Sequence, residues 1–171
     1  MAVPLTLIRQ DITQMQTDAI VNAANTQLKM GGGVCGAIFR AAGPEEMQAA
    51  CDRLAPIRTG EAVITPGFRL PAKYVIHTAG PVYRDGRHGE EELLRSCYLN
   101  SLRLAAEHGC ASVAFPLISG GIYGYPKEEA VRVAIGAIRD FLQDRDMDVH
   151  LVLFDQEAWA IGEKLIGGAG R

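Results

Sequence analysis

The chain has 171 residues, 48% of them hydrophobic and 22% charged, with a mean hydropathy of +0.05. That length suits one domain and excludes a two-domain enzyme, and the apolar content is enough to bury ~70% of the unfolded surface, against wholesale disorder. Lys plus Arg number 17 against 20 Asp plus Glu, a net charge of −3, so no basic field is available to hold a nucleic-acid backbone by counterion release.

The opening MAVPLTLIRQDITQM carries no basic segment followed by an apolar run of ~7–15 residues. No later stretch reaches the ~18 apolar residues of a membrane span. A soluble, cytoplasmic protein without membrane attachment is expected. The first strand is predicted at Leu5–Ile8 and the second at Ala19–Val21, both apolar on every residue or nearly so, as strands covered by helices on both faces are. Asp11, just past the first strand, has a carboxylate that either N-caps a turn or accepts from an exocyclic amine. Asn22 and Asn25 end the run AIVNAAN, where amides either cap the turn or reach a ligand hydroxyl. Glu45–Leu54 places Met47, Ala50, Cys51 and Leu54 at helical spacing, with Pro44 suited to the first helical position.

Strands are predicted again at Ala62–Thr65 and Tyr74–His77; His77, on a buried-type strand, reads as a core histidine. The polar run RDGRHGE, Arg84–Glu90, reads as an exposed loop. Leu94, Cys97, Tyr98, Ser101, Leu102 and Ala105 form a helical stripe that ends at His108-Gly109, a cation and a C′ glycine. After the strand Ser112–Phe115 comes the clearest stripe: Ala130, Val131, Ala134, Ile135, Ile138, Phe141 and Leu142 share one face behind Pro126. Strand Val149–Phe154 and a helix over Gln156–Ile166 complete the core, residues 5–166, with residues 167–171 a flexible tail. Strands alternating with helices over residues 1–171 argue for one α/β domain with a largely parallel sheet between helical layers.

Two glycine-rich stretches, Gly31–Gly36 (GGGVCG) and Ser119–Pro126 (SGGIYGYP), each fall between a strand and a helix. In open α/β sheets such connections gather at the carboxyl ends of the strands, where ligands bind. Glycine lets main-chain N–H groups approach a ligand closely, and a following helix N-terminus adds partial positive charge. Phosphate is the natural guest, held by amides, since only Lys29 and Arg40 flank the first loop. The first loop formally fits G-x-G-x-x-G, but Thr26–Met30 separate it from the strand and the acid at the right distance, Asp52, lies inside a predicted helix, so an NAD-dependent dehydrogenase is disfavoured. No loop ends in Gly-Lys-Ser/Thr, which removes Walker A. Cys35, Cys51, Cys97 and Cys110 form no Cys-x-x-Cys pair, and no histidine completes a zinc-ligand spacing; reduced thiols and no metal are expected.

Taken together, Asp11-Ile12-Thr13, DAIVNAAN, GGGVCGAIFRAAG, Gly60–Thr65, VIHTAGP and PLISGGIYGYP resemble the macrodomain family of the Appr-1''-p-processing type, modules that bind ADP-ribose. The resemblance runs from Leu5 to Ile166. It implies a three-layer α/β/α sandwich with a central mixed, mostly parallel sheet. It further implies Asp11 and the Ile12 amide at adenine, Phe154 packed on the base, and Asn25 at the distal ribose, with Asn22 and Ala23 also counted as ligand-binding. The Gly31, Gly32, Gly33, Val34 loop and the Ser119, Gly120, Gly121, Ile122, Tyr123 loop would embrace the diphosphate, with Tyr123 against the distal ribose. A plain core phenylalanine is the alternative for Phe154.

Many members hydrolyse the bond between distal ribose and a protein side chain or an acetyl group. The MacroD-like hydrolase subgroup reads GGGGVDGAIHRAAG at this loop; here Met30, Cys35 and Phe39 replace its first glycine, its aspartate and its histidine. Alphaviral macrodomains, which share Gly-Val-Cys at this point, are hydrolases. An unperturbed thiol, pKa ~8.5, is only a few per cent ionised at neutral pH and cannot simply replace a carboxylate base. Asn25 and Cys35 are the catalytic candidates, Cys35 either as a nucleophile or as a small wall residue. The expectation is an ADP-ribosyl hydrolase or O-acetyl-ADP-ribose deacetylase with no cofactor, acting as a monomer on ADP-ribose or ADP-ribosylated protein; the alternative is a reader that binds without cleaving.

Overall fold

The computed structural model describes residues 5–169. Six strands form one sheet: β1 (Leu5–Ile8), β2 (Ala19–Ala24), β3 (Ala62–Pro66), β4 (Tyr74–Ala79), β5 (Ser112–Phe115) and β6 (Asp148–Val152). Their order is β1-β6-β5-β2-β4-β3, parallel throughout except for antiparallel β3 at one edge. The helices are α1 (Gly33–Ala42), α2 (Pro44–Asp52), α3 (Glu90–Glu107), α4 (Lys127–Leu142) and α5 (Gln156–Ala169). No helix among the described residues is long and apolar enough to cross a membrane.

Strand parity sorts the core into two layers. Ala19, Val21, Ile76, Val113 and Phe115 pack with α3, α4 and α5, whereas Ile20, Ala24, Val75 and Ala114 pack with α1 and α2. Because successive side chains point to opposite faces, each parallel strand feeds both layers, which is why its sequence is apolar without alternation. The expected α/β/α sandwich with a mixed, mostly parallel sheet is what forms.

Several local readings are corrected. Helix α1 begins inside the Gly31–Gly36 run, which reads as a loop, although its buried Cys35, Ile38, Phe39 and Ala42 do keep helical spacing. Leu54 lies beyond α2 and is 39% exposed. Strand β6 ends at Val152, two residues before Phe154. Helix α5 runs on to Ala169, so the expected tail at 167–171 is helical as far as that residue, and the remainder lies outside the described residues.

Of the polar run 84–90, residues 84–89 are a loop folded over Glu90, the buried first residue of α3. Glu90 is 2% exposed, and its carboxylate accepts the backbone N–H groups of Arg84, Asp85, Gly86 and His88 at 2.7–3.2 Å. Those bonds, led by that from Arg84, hold its pKa at about 2. Where α3 ends, the expected device is present: His108 bonds the Leu104 carbonyl at 3.0 Å and Gly109 takes φ +73°.

Candidate functional site

The parallel strands all run the same way, so the chain leaves β1, β2, β4, β5 and β6 on one edge of the sheet. A cleft of about 690 Å³ opens there. Asp11 and Ile12 come from the end of β1, Asn25 from β2, Gly80 from β4, Pro116–Tyr123 from β5 and Phe154 from β6. Neighbouring β2 and β5 lead to helices on opposite faces, α1 and α4. The cleft therefore lies where the winding of the sheet reverses, a place where connections part and leave room for a ligand.

The first glycine loop enters α1 with Gly32 as N-cap and no side-chain cap. Among the described residues, no protein acceptor is found for the backbone N–H groups of Gly31 through Cys35; the first bonded amide of the helix is Gly36, to Gly32 at 3.2 Å. These are the orphan donors that every helix start presents, here facing the cleft. The second loop is closed on itself by Tyr125 N–H to Ser119 O and Gly124 N–H to Gly121 O, both 3.0 Å. It is also pinned from outside, by Ser119 Oγ to Pro81 O at 2.8 Å and Tyr83 N–H to Tyr123 O at 2.9 Å. That leaves the amides of Gly121, Ile122 and Tyr123 without a protein acceptor among the described residues. Ser119 bears φ +65° to make the turn, and a Cβ on Gly80 would strike its hydroxyl. Helix α4 begins at Lys127, beyond the cleft, so the expected helix dipole acts at the first loop and not at the second.

Among the described residues, no Lys, Arg or His lines the cleft, and its only carboxylates are Asp11 and Asp155, both at the β1/β6 end. An anion bound between the two loops would thus be held by oriented amides, without a cationic clamp. Among the described residues, the one three-membered grouping with metal-ligand potential, Asp85, His88 and Glu90, lies in the 84–90 loop away from the cleft.

Asp11 caps a turn and also lines the cleft. Its Oδ1 caps the 3-10 turn Ile12–Gln14, accepting from Thr13 N and Oγ1 at 3.0 and 2.7 Å, while the residue is exposed on the cleft wall. The Ile12 side chain is buried, and its N–H has no protein acceptor among the described residues. Phe154 is 71% exposed on the cleft wall, which excludes the core reading. Ile122 is 97% exposed at the tip of the second loop. Ala23, Val34 and Tyr123 also line the cleft.

Asn22 is corrected. It shares the parity of Ile20 and Ala24, so its side chain goes under α1, where it is 1% exposed and off the cleft wall. Its Nδ2 donates to His77 Nδ1 at 3.1 Å and to Cys35 Sγ at 3.6 Å. Asn25, past the strand's last pairing, does line the cleft; its amide bonds the Lys29 backbone twice, Lys29 N–H to Oδ1 at 3.0 Å and Nδ2 to Lys29 O at 2.9 Å.

Cys35 is buried in the cleft wall, its Sγ 3.8 Å from Lys29 O. No imidazole touches it. His77 lies behind Asn22, fully buried, 3.0 Å from Thr65 Oγ1, with burial lowering its pKa to about 4. Burial pushes the Cys51 thiol beside it up to about 12. Gly80 and Asp155 line the cleft without having been singled out; a glycine directly after the VIHTA strand was the available signal for the first.

Comparison with known proteins agrees with this geometry. The profile of the Macro domain family matches residues 21–134. A macro domain-containing protein of Chlorobaculum tepidum is 54% identical over 169 residues, covering 91% of this chain and 95% of its own. An Escherichia fergusonii protein named O-acetyl-ADP-ribose deacetylase is 45% identical over 170 residues, 96% of each chain. Among solved structures, the Oceanobacillus iheyensis macrodomain with ADP superposes with a TM-score of 0.90 at 42% identity, covering 95% of this chain and 89% of that one. The Trypanosoma brucei macrodomain in complex with ADP-ribose gives 0.87 at 41% identity, with 96% and 69% covered.

Proposed function

The chain belongs to the macro domain family, and we propose that its cleft binds ADP-ribose and hydrolyses ADP-ribosyl linkages, either the ester of O-acetyl-ADP-ribose or the bond to a modified protein side chain. One observation carries this reading: two glycine loops from adjacent parallel strands line one cleft with unbonded amides, and no cation lines it among the described residues. Diphosphate is the group that such an amide cradle fits. Adenine would then lie at the β1/β6 end, its amine on Asp11, its ring edge near the Ile12 amide and its face on Phe154. The distal ribose would lie at the β2/β4 end beside Asn25 and Tyr123. The relatives named for ADP, ADP-ribose and O-acetyl-ADP-ribose support the same choice.

The chemistry asks little of side-chain acid or base. Both carboxylates described on the cleft wall lie at its β1/β6 end, so a water beside the distal sugar would give its proton to the substrate's own phosphate. Its oxygen would bond to the anomeric carbon, or to the acetyl carbon of the ester. The leaving oxygen would take up a proton, releasing the side chain or, from the ester, leaving acetate and ADP-ribose. Holding water and sugar in line contributes several kcal/mol without a strong base. Cys35 is a wall residue in this scheme, since no base contacts its sulfur.

The absence of a carboxylate near Asn25 also favours a second reading, a module that holds ADP-ribose without cutting it. The deciding experiment offers the protein O-acetyl-ADP-ribose and a mono-ADP-ribosylated protein and follows free ADP-ribose by mass spectrometry. Release is expected at a slow rate. Binding by calorimetry with no release over many hours leaves the reader, and no binding retires both.

A further inference from the structure

Asn25 would read the distal sugar with an amide, and an amide reads well only if it cannot rotate. The structure holds it indirectly. Lys29 is gripped through its backbone by Asn25, as above, and the peptide groups on either side of Lys29 are gripped by a second amide from α2. Gln48 Oε1 accepts the Met30 N–H at 2.9 Å, and Gln48 Nε2 donates to Leu28 O at 3.0 Å. The same Nε2 donates to Asp52 Oδ1 at 2.9 Å, which fixes which way the Gln48 amide faces. Asp52 in turn pairs with Lys29 Nζ at 3.0 Å. Between the two amides runs a backbone that would not hold its shape unaided, for Leu28 has φ +55° with its side chain buried.

Asn25 spends one Nδ2 hydrogen and one Oδ1 lone pair on Lys29, leaving one of each. A Cβ built on Gly31 would lie 4.0 Å from Asn25 Nδ2, so the amide stands beside the first glycine loop. If residues 28–30 shift, Asn25 turns with them.

We propose that Gln48, outside the cleft, is a positioning residue for the distal sugar: acting through the 28–30 backbone, it orients the Asn25 amide. The proposal rests on the ADP-ribose reading. ADP lacks the distal ribose, so it reports on the rest of the cleft alone. Calorimetry with ADP and with ADP-ribose on wild type, Gln48→Ala and Gln48→Glu separates the possibilities. In Gln48→Ala, ADP affinity is expected to stay within about twofold while ADP-ribose affinity falls by about five- to tenfold, the loss of one oriented hydrogen bond. Gln48→Glu keeps an acceptor for Met30 but loses the donor to both Leu28 O and Asp52 Oδ1 and sets two carboxylates side by side, so its loss should be at least as large. In the ligand-free protein, the side-chain amide NMR signals of Asn25 should move in both variants. An unchanged preference for ADP-ribose over ADP in either folded variant, equal weakening of both ligands, or unmoved Asn25 signals would overturn the role of Gln48. Should Gln48→Ala not fold, the near-isosteric Gln48→Glu decides. Wild type that binds neither nucleotide refutes the ADP-ribose reading itself, whereas wild type that prefers ADP-ribose alongside variants that keep that preference refutes only this inference.

Discussion

Gly36 separates the stability of the fold from the shape of the cleft. It lies in the first turn of α1, and a Cβ there would sit 2.5 Å from the Gly31 carbonyl oxygen and 3.0 Å from Arg40 Nη1. The arginine tip can swing aside; the carbonyl is backbone, and ordinary contact would require it to retreat by roughly 1 Å. In Gly36→Ala the helix gains about 1 kcal/mol of propensity, against an overpacking cost of about 1–3 kcal/mol, much of it relieved because Gly31 is an exposed loop residue. Net stability should move by no more than about 1–2 kcal/mol. Binding should suffer far more. If the retreat of Gly31 removes one amide contact to the diphosphate at about 1.5–3 kcal/mol, affinity for ADP-ribose falls by roughly ten- to 150-fold. Calorimetric titration beside a thermal melt measures both quantities on one sample. A folded variant with affinity within threefold of wild type would show that the first loop does not hold the ligand through its backbone.

Three further outcomes are expected. Phe154→Ala should leave stability within about 0.5 kcal/mol, because the ring is 71% exposed, yet weaken ADP-ribose by about 1–3 kcal/mol of base stacking; a destabilised variant with unaltered binding would place the ring in a structural role. Asp11→Ala should abolish discrimination between ADP-ribose and its inosine analogue, which lacks the exocyclic amine, beyond the roughly 1 kcal/mol lost with the cap on the 3-10 turn; persistent discrimination would remove Asp11 from the adenine site. The third concerns His77, whose pKa is lowered by burial from 6.5 to about 4. The unfolded chain takes up the proton first, so the stability tied to the neutral ring is complete above pH 6.5 and is lost as the pH falls toward 4, about 3 kcal/mol in all. Urea midpoints should therefore drop between pH 6.5 and 4.5 in wild type and less so in His77→Gln; equal slopes would refute the assignment.

The α4 stripe from Ala130 to Phe141 was legible because sixteen helical residues repeat their apolar spacing over four turns. Helix α1 was less so, since its ten residues start within the Gly31–Gly36 run, where glycines read as loop, and a single set, Cys35, Ile38, Phe39 and Ala42, marks its buried face. Glu90 reads as one more charge in a polar run; that it is buried follows from the 84–88 backbone folding over its carboxylate, an encounter that no local pattern encodes. Gln48 is similarly silent in the sequence, because its partners at 28 and 30 lie across a turn and a helix.

The amino-acid sequence by itself determined the alternation of strands and helices, the family likeness, the two glycine loops and the scarcity of cations around them, because periodicity, composition and turn chemistry are properties of short stretches. Tertiary structure alone decided which polar groups face the cleft. Asn22 and Asn25 stand three residues apart with the same side chain, yet one is sealed beneath α1 and the other opens on the cleft. The reason is geometric: within a paired strand the pleat assigns each residue a face, and where the pairing of β2 ends at Ala24 that assignment lapses and the packed loop takes over.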